Sequence, residues 1–137
     1  MTVVRLEGNV NAEGYLNTFR QRLRRFYPDL YGGHLIFQHD NAPIHTARVV
    51  TDWFESKNIL VLNWPSRSPD LNIIENVWAR IKYEMRDQFF EDVEDLWREV
   101  QRLWNELITD EFVINLYNSI PRRIEAMIRA GGGHTRY

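Results

Sequence analysis

Apolar positions recur along this chain in two rhythms, short unbroken runs and a three-to-four spacing, and the rhythm changes at Gly, Pro and Asn. Thr2 to Leu6 reads as a short strand broken by Gly8 and Asn9. Asn11 can cap a helix from about Ala12 to Phe26 that carries Tyr15, Phe19, Leu23 and Phe26 on one face. Pro28 and the Gly32-Gly33 pair end it, and His34 to Gln38 reads as a buried strand. A polar, Pro-containing loop from Asp40 to His45 leads into a helix from about Thr46 to Ser56, which buries Val49, Val50, Trp53 and Phe54. Ile59 to Leu62 is a further buried strand, followed by a rigid loop from Trp64 to Asp70 with two prolines. The next helix starts near Ile73, with Ile74, Val77, Trp78, Ile81 and Met85 as its apolar stripe. Three more helices are predicted: one over Val93 to Ile108 with Leu96, Val100, Leu103 and Leu107, one capped by Thr109, and one that follows Pro121 and ends at Gly131. Trp64, Trp78, Trp97 and Trp104 fall on these stripes as core residues.

Strand–helix–strand–helix order implies an α/β layer with parallel pairing where a helix crosses over. Asp40 then stands at the C-terminal end of its strand, where open α/β sheets place ligands.

Composition narrows the classes. The 137 residues are 44% hydrophobic and 13% aromatic, with five Trp, which suits one domain with a real core and not a disordered tail. With no Cys, a disulfide framework and a thiolate metal site are both excluded. No apolar run approaches a bilayer span, and the N-terminus has no basic region followed by an apolar stretch, so an intracellular protein is expected, nuclear in a eukaryote. The net charge of −2 does not point to nucleic acid, but the basic residues are almost all Arg, and two groups of them stand out. Arg20, Arg22, Arg24 and Arg25 form one, and Arg122, Arg123, Arg129 and Arg136 mark the C-terminal end. Arg forks suit bidentate phosphate contacts; solvated helix faces paired with acids are the simpler reading on charge alone.

Two carboxylates stand in matched settings, Asp40 in FQHDNAPIHTA and Glu75 in WPSRSPDLNIIENVW, with thirty-four residues between them. Carboxylates so presented can bind divalent ions and support phosphoryl transfer. Each has a structural alternative. Asp40-Asn41 favours a turn, and Asn72 as N-cap would place Glu75 at N3 of a capping box. His45 is read as a loop or DNA-contact residue and His39 as an exposed loop histidine.

These two long motifs resemble the catalytic core of Tc1/mariner-family DDE transposases, most closely the Tc1-like branch. RLEGNVNAEGYL resembles the approach to that family's first core helix, and SIPRRIEAMIRAGGGHTRY its C-terminal end. The resemblance implies an RNase H-like, retroviral-integrase-like α/β fold with a helical C-terminal half. It implies an Asp-Asp-Glu triad holding two Mg²⁺ or Mn²⁺ ions, with Asp40 as the second Asp and Glu75 as the Glu. Asn41, Pro43 and His45 would shape the loop beside the metals, and Pro69 and Asn72 the entry to the Glu75 helix. DNA would meet Arg20, Arg22, Arg24, Arg25, Arg122 and Arg123.

By the same resemblance the first two strands, the first Asp and the helix-turn-helix region are expected to be absent. Residues 1–137 would then be a partial catalytic domain with a flexible tail over 131–137. An uncovered strand edge would be met by Thr2–Leu6 or by a second copy, and a homodimer is the expected outcome. Three functions follow: a transposase-derived protein inactive alone that keeps DNA or protein contacts; a metal-dependent nuclease whose third ligand is unconventional (Glu7 and Glu13 by sequence position) or comes from a partner; and an interaction module built on the Trp- and Leu-rich helices.

Overall fold

The apolar pattern divides between two units, one of Leu6–Arg67 and one of Met1–Arg5 with Ser68–Tyr137. The computed structural model describes residues 3–22, 36–63, 68–133 and 135 of the chain.

In the unit of Leu6–Arg67, helix α1 spans Ala12–Arg22. Asn11 caps it as the sequence predicts, its Oδ1 accepting the Gly14 N–H at 2.8 Å. Strand β1 is Ile36–Phe37, helix α2 is Arg48–Ser56 and strand β2 is Leu60–Val61. The strands pair in parallel, Ile36 opposite Leu60 and Phe37 opposite Val61, as expected for strands joined by a crossover helix. Both are shorter than the apolar runs that carry them, and His34 and Leu35 lie outside the described residues. After α2, Asn58 adopts φ 51°, a left-handed turn that Asn tolerates better than most residues. That turn lets the Ile59 N–H reach the Phe54 carbonyl at 3.0 Å and starts β2 in register.

The core here is Leu16, Phe19, Val50, Trp53, Phe54 and Ile59, with Phe37 packed on it. Phe19 is its hub, edge-on to Phe37, Trp53 and Phe54 at centroid distances of 4.9, 5.4 and 5.2 Å. Val49, expected inside, is exposed, while Leu16, off the expected stripe, is fully buried. Leu23 and Phe26 lie outside the described residues.

The second unit is helical. A 3₁₀ turn over Pro69–Leu71 leads to α3, Ile74–Met85, then α4, Val93–Leu107, and α5, Asp110–Arg129. Asp92 caps α4 by accepting the Asp95 N–H at 2.7 Å, and Thr109 caps α5 by accepting the Phe112 N–H at 3.1 Å. Val77, Ile81, Leu103, Trp104 and Ile108 form the core, flanked by Trp78, Phe112, Val113 and Leu116.

Three expectations are corrected in this unit. The two helices expected on either side of Pro121 are one continuous helix. Its inward face runs unbroken through Phe112, Val113, Leu116, Ser119 and Arg123, so burial on both sides carries the helix past the missing proline N–H. Gly131 and Gly132, at φ 59° and 82°, then turn the chain away as the sequence predicts. Val3–Leu6 is not a strand. Val3 packs on the helical core and the Arg5 guanidinium donates to Glu94 at 2.6 Å, side-chain anchors that take the place of a β partner. Finally, no capping box forms at α3. Ile73 is the N-cap and no side chain caps the helix, while Asn72 contributes its backbone carbonyl to the Glu75 N–H at 3.0 Å.

Candidate carboxylate sites

Asp40 follows β1 after two residues, Gln38 and His39, at the C-terminal end of a parallel strand. Its side chain is 61% exposed. Oδ1 accepts the Ala42 N–H at 3.2 Å and meets His45 Nδ1 at 2.6 Å. The turn over Pro43–His45, closed by His45 N–H to the Ala42 carbonyl at 2.8 Å, brings the imidazole back onto the carboxylate. His39 Nδ1 donates to the Asp40 carbonyl oxygen. Each Nδ1 thus faces an oxygen of Asp40, and the local turn that Asp40-Asn41 favours is built from the same carboxylate that faces solvent. His39 stacks on Phe54 with ring planes 17° apart, half-buried and not the exposed loop residue expected.

Tyr15, on α1, lies against His45 with ring centroids 4.3 Å apart. Burial, and secondarily the Asp40 charge, push its phenol up to about 12. A raised folded pKa in an acid means that folding is linked to the neutral phenol. That contribution is complete below the unfolded value near 10 and is lost as pH rises through about 12. Tyr15→Phe is expected to remove the alkaline fall in stability of this unit between those values, measured as urea midpoint against pH; an unchanged slope would contradict it.

A cleft of about 360 Å³ opens beside the loop, lined by His39, Asn41, His45, Thr51, Glu55 and Asn63 among others.

Glu75 sits in the first turn of α3, exposed. Its carboxylate has no hydrogen bond or ion pair among the described residues, and a negative charge there suits the helix dipole. Pro69 opens the preceding 3₁₀ turn and Asn72 closes it, donating its N–H to the Pro69 carbonyl at 3.0 Å.

The arginines divide. Arg20, Arg22 and Arg122 are exposed, with Arg20 over the Trp53 ring at 5.5 Å. Arg24 and Arg25 lie outside the described residues. Arg123 is 4% exposed, a buried residue and not a surface contact. Its Nη1 donates to the Asp70 carbonyl at 2.9 Å and its Nε to Ser119 Oγ at 2.7 Å. Thr135, in the expected tail, donates its N–H and its hydroxyl to Asp70 Oδ2, both at 2.7 Å. Neither this cluster nor the Tyr15–His45 contact has a local sequence signature, since both join residues far apart in the chain.

Both carboxylates fit the donor chemistry of Mg²⁺ or Mn²⁺. Their oxygens are hard and face solvent, and Mg²⁺ is commonly held by one or two carboxylates plus waters and substrate phosphate. Among the described residues no group of three Asp, Glu or His side chains forms a protein-only cage.

A family model described as DDE superfamily endonuclease matches residues 1–97. The chain belongs to the DDE superfamily endonucleases. Within that superfamily it is of the Tc1/mariner transposase type. The transposable element Tc1 transposase of Caenorhabditis elegans is 31% identical over 133 residues, covering 97% of this chain and 48% of the relative. The Tc3 transposase of the same organism is 32% identical over 135 residues, covering 96% and 40%. The chain therefore spans less than half the length of these relatives. The Mos1 transposase catalytic domain solved with Raltegravir and Mn superposes with a TM-score of 0.81 at 30% identity, over 95% of this chain and 68% of that one. The Mos1 paired end complex with Mn gives 0.80 at 30% identity, over 95% and 39%. The architecture is thus the RNase H-like fold of a DDE catalytic domain, as the motifs imply. No helix among the described residues is long and apolar enough to cross a membrane.

Proposed function

We propose that this DDE-superfamily chain serves as the later part of a Tc1/mariner catalytic domain, with Asp40 and Glu75 as its second and third carboxylates. The observation that carries this reading is the state of Glu75: exposed on the first turn of α3 and excused from the capping role that would otherwise account for it. Asp40 supports it with an exposed side chain at the end of a parallel strand, where such sheets hold ligands. A divalent ion, when bound, would orient the phosphate and stabilise the charge that develops on it. The chain's own residues prepare that chemistry. His45 and the Ala42 N–H fix one oxygen of the exposed Asp40 carboxylate. The exposed Arg20, Arg22 and Arg122, together with Arg24 and Arg25 of the same sequence cluster, supply the phosphate contacts.

The chain is proposed to bind DNA and a divalent ion through these residues. The exposed apolar rungs Ile36 and Leu60 support self-association along the β1–β2 pair.

Mn²⁺ titration followed by the spectrum of the free ion tests this. Asp40→Asn and Glu75→Gln are each expected to weaken binding at least about tenfold, or 1.4 kcal/mol. A chain that binds no Mn²⁺ at millimolar concentration, or binds it equally in both variants, would refute the reading. Arg20→Ala with Arg22→Ala should reduce the salt slope of DNA binding by about 2. Light scattering at micromolar concentration should report a dimer; a monomer would rule out the self-association.

A further inference from the structure

The partly buried cluster around Asp70 lies outside any role assigned so far, and all its members belong to the unit of Met1–Arg5 and Ser68–Tyr137. Asp70 is the middle residue of the 3₁₀ turn, Pro69–Leu71, that ends two residues before α3 begins. Both its backbone and its side chain are held from the C-terminal end of the chain. Arg123 donates to its carbonyl at 2.9 Å across 53 positions of sequence, and Thr135 donates twice to its Oδ2 at 2.7 Å across 65. Arg123 is in turn fixed by Ser119, whose hydroxyl donates to the Leu116 carbonyl at 2.6 Å. Ser119 and Arg123 are the two buried polar residues on a helix face that is otherwise apolar. Where that face meets the turn, it changes from packing to hydrogen bonding.

We infer that Arg123 and Thr135 are positioning residues for Glu75, holding the Pro69–Leu71 turn so that α3 starts at one place with Glu75 in its first turn. The inference rests on the proposed role of Glu75 for its functional meaning, and on the hydrogen bonds alone for its structural part. The register of α3 makes the coupling direct. No side chain caps this helix, so its start is set by the backbone chain of Asn72 N–H to the Pro69 carbonyl at 3.0 Å and Glu75 N–H to the Asn72 carbonyl at 3.0 Å. A helix without a side-chain cap depends on whatever fixes the residues before it. Here that is Arg123 from below and Thr135 at the carboxylate. A guanidinium suits the task, since two of its nitrogens donate to two acceptors in fixed planar geometry, a fork that a lysine ammonium lacks.

The experiment uses the full chain with Arg123→Lys, Thr135→Val and Glu75→Gln. Amide exchange by NMR is read at Asn72 and Glu75, with Trp104 as a reference in the same unit. Arg123→Lys and Thr135→Val are each expected to speed exchange at Asn72 and Glu75 at least about tenfold, with Trp104 changed less than about twofold. Mn²⁺ affinity should fall about threefold to tenfold in the same variants. Unchanged exchange at Asn72 and Glu75 in both variants overturns the inference, as does faster exchange with Mn²⁺ affinity intact when Glu75→Gln weakens it. If Glu75→Gln leaves Mn²⁺ binding unaltered while exchange still quickens in Arg123→Lys, the metal reading of Glu75 fails and the structural hold on the turn stands.

Discussion

Phe54→Ala is expected to lower the stability of the Leu6–Arg67 unit by about 3–5 kcal/mol, enough to leave much of it unfolded at 25 °C. The ring is 2% exposed and contacts Phe19, Phe37 and Trp53 at centroid distances of 5.2, 5.4 and 5.6 Å. His39 stacks on its other side. Removing it opens a cavity in a core of six buried residues and withdraws the support of the imidazole that donates to the Asp40 carbonyl. Urea unfolding followed by Trp53 fluorescence measures the loss. Val49→Ala, at an exposed site on the same helix, should change stability by less than about 0.5 kcal/mol. Equal effects in the two variants would show that this core does not carry the unit.

The helical unit turns on Trp104. The side chain is 8% exposed and lies 5.8 Å from Trp78, centroid to centroid, in the core that joins α3 to α4. Trp104→Ala is expected to cost about 3–5 kcal/mol. Trp104→Phe should cost much less, because the indole Nε1–H is buried without a partner among the described residues. The Phe variant gives up packing volume but also removes that unsatisfied donor, whose burial costs about 1–3 kcal/mol. Thermal melting of both variants decides it. A Phe variant as unstable as the Ala variant would mean that the N–H has a partner in solution.

The elements most legible in the sequence were those whose signals are local. Asn11 and Thr109 each precede a helix and each accepts the expected backbone N–H, because a cap is decided within four residues. The spacing of Leu103 and Leu107 marked α4 for the same reason. Pro121 misled in the opposite direction. A local rule splits the helix there, while the buried face from Phe112 to Arg123 holds it together through packing that no local rule registers. Val3–Leu6 has the residues of a strand, but a strand needs a neighbour, and this segment found a helical core and an ion pair with Glu94 instead.

The family motifs located Asp40 and Glu75 without revealing what surrounds them. That His45 shares the Asp40 oxygen and that Tyr15 lies on His45 depend on a turn and on α1 returning to it. Arg123 was misread because arginine is ordinarily a surface residue, and its hydrogen bonds to the Ser119 hydroxyl and the Asp70 carbonyl help make its burial tolerable. The Asn72–Glu75 pair has the spacing of a capping box, yet the 3₁₀ turn uses Asn72 as its own C-cap and shifts the helix start by one position.

The tie between Asp70 and its distant partners also gives the chain a direction in time. A ribosome adds roughly 5–20 residues per second, so the turn and Glu75 leave the exit tunnel several seconds before Arg123 and Thr135 follow. Until they do, α3 can form but the turn before it lacks these long-range hydrogen bonds, and contacts across 53 and 65 positions close later than local ones. Glu75 is thus set in place by residues made well after it, and a nascent chain halted short of Thr135 would carry the carboxylate without its setting.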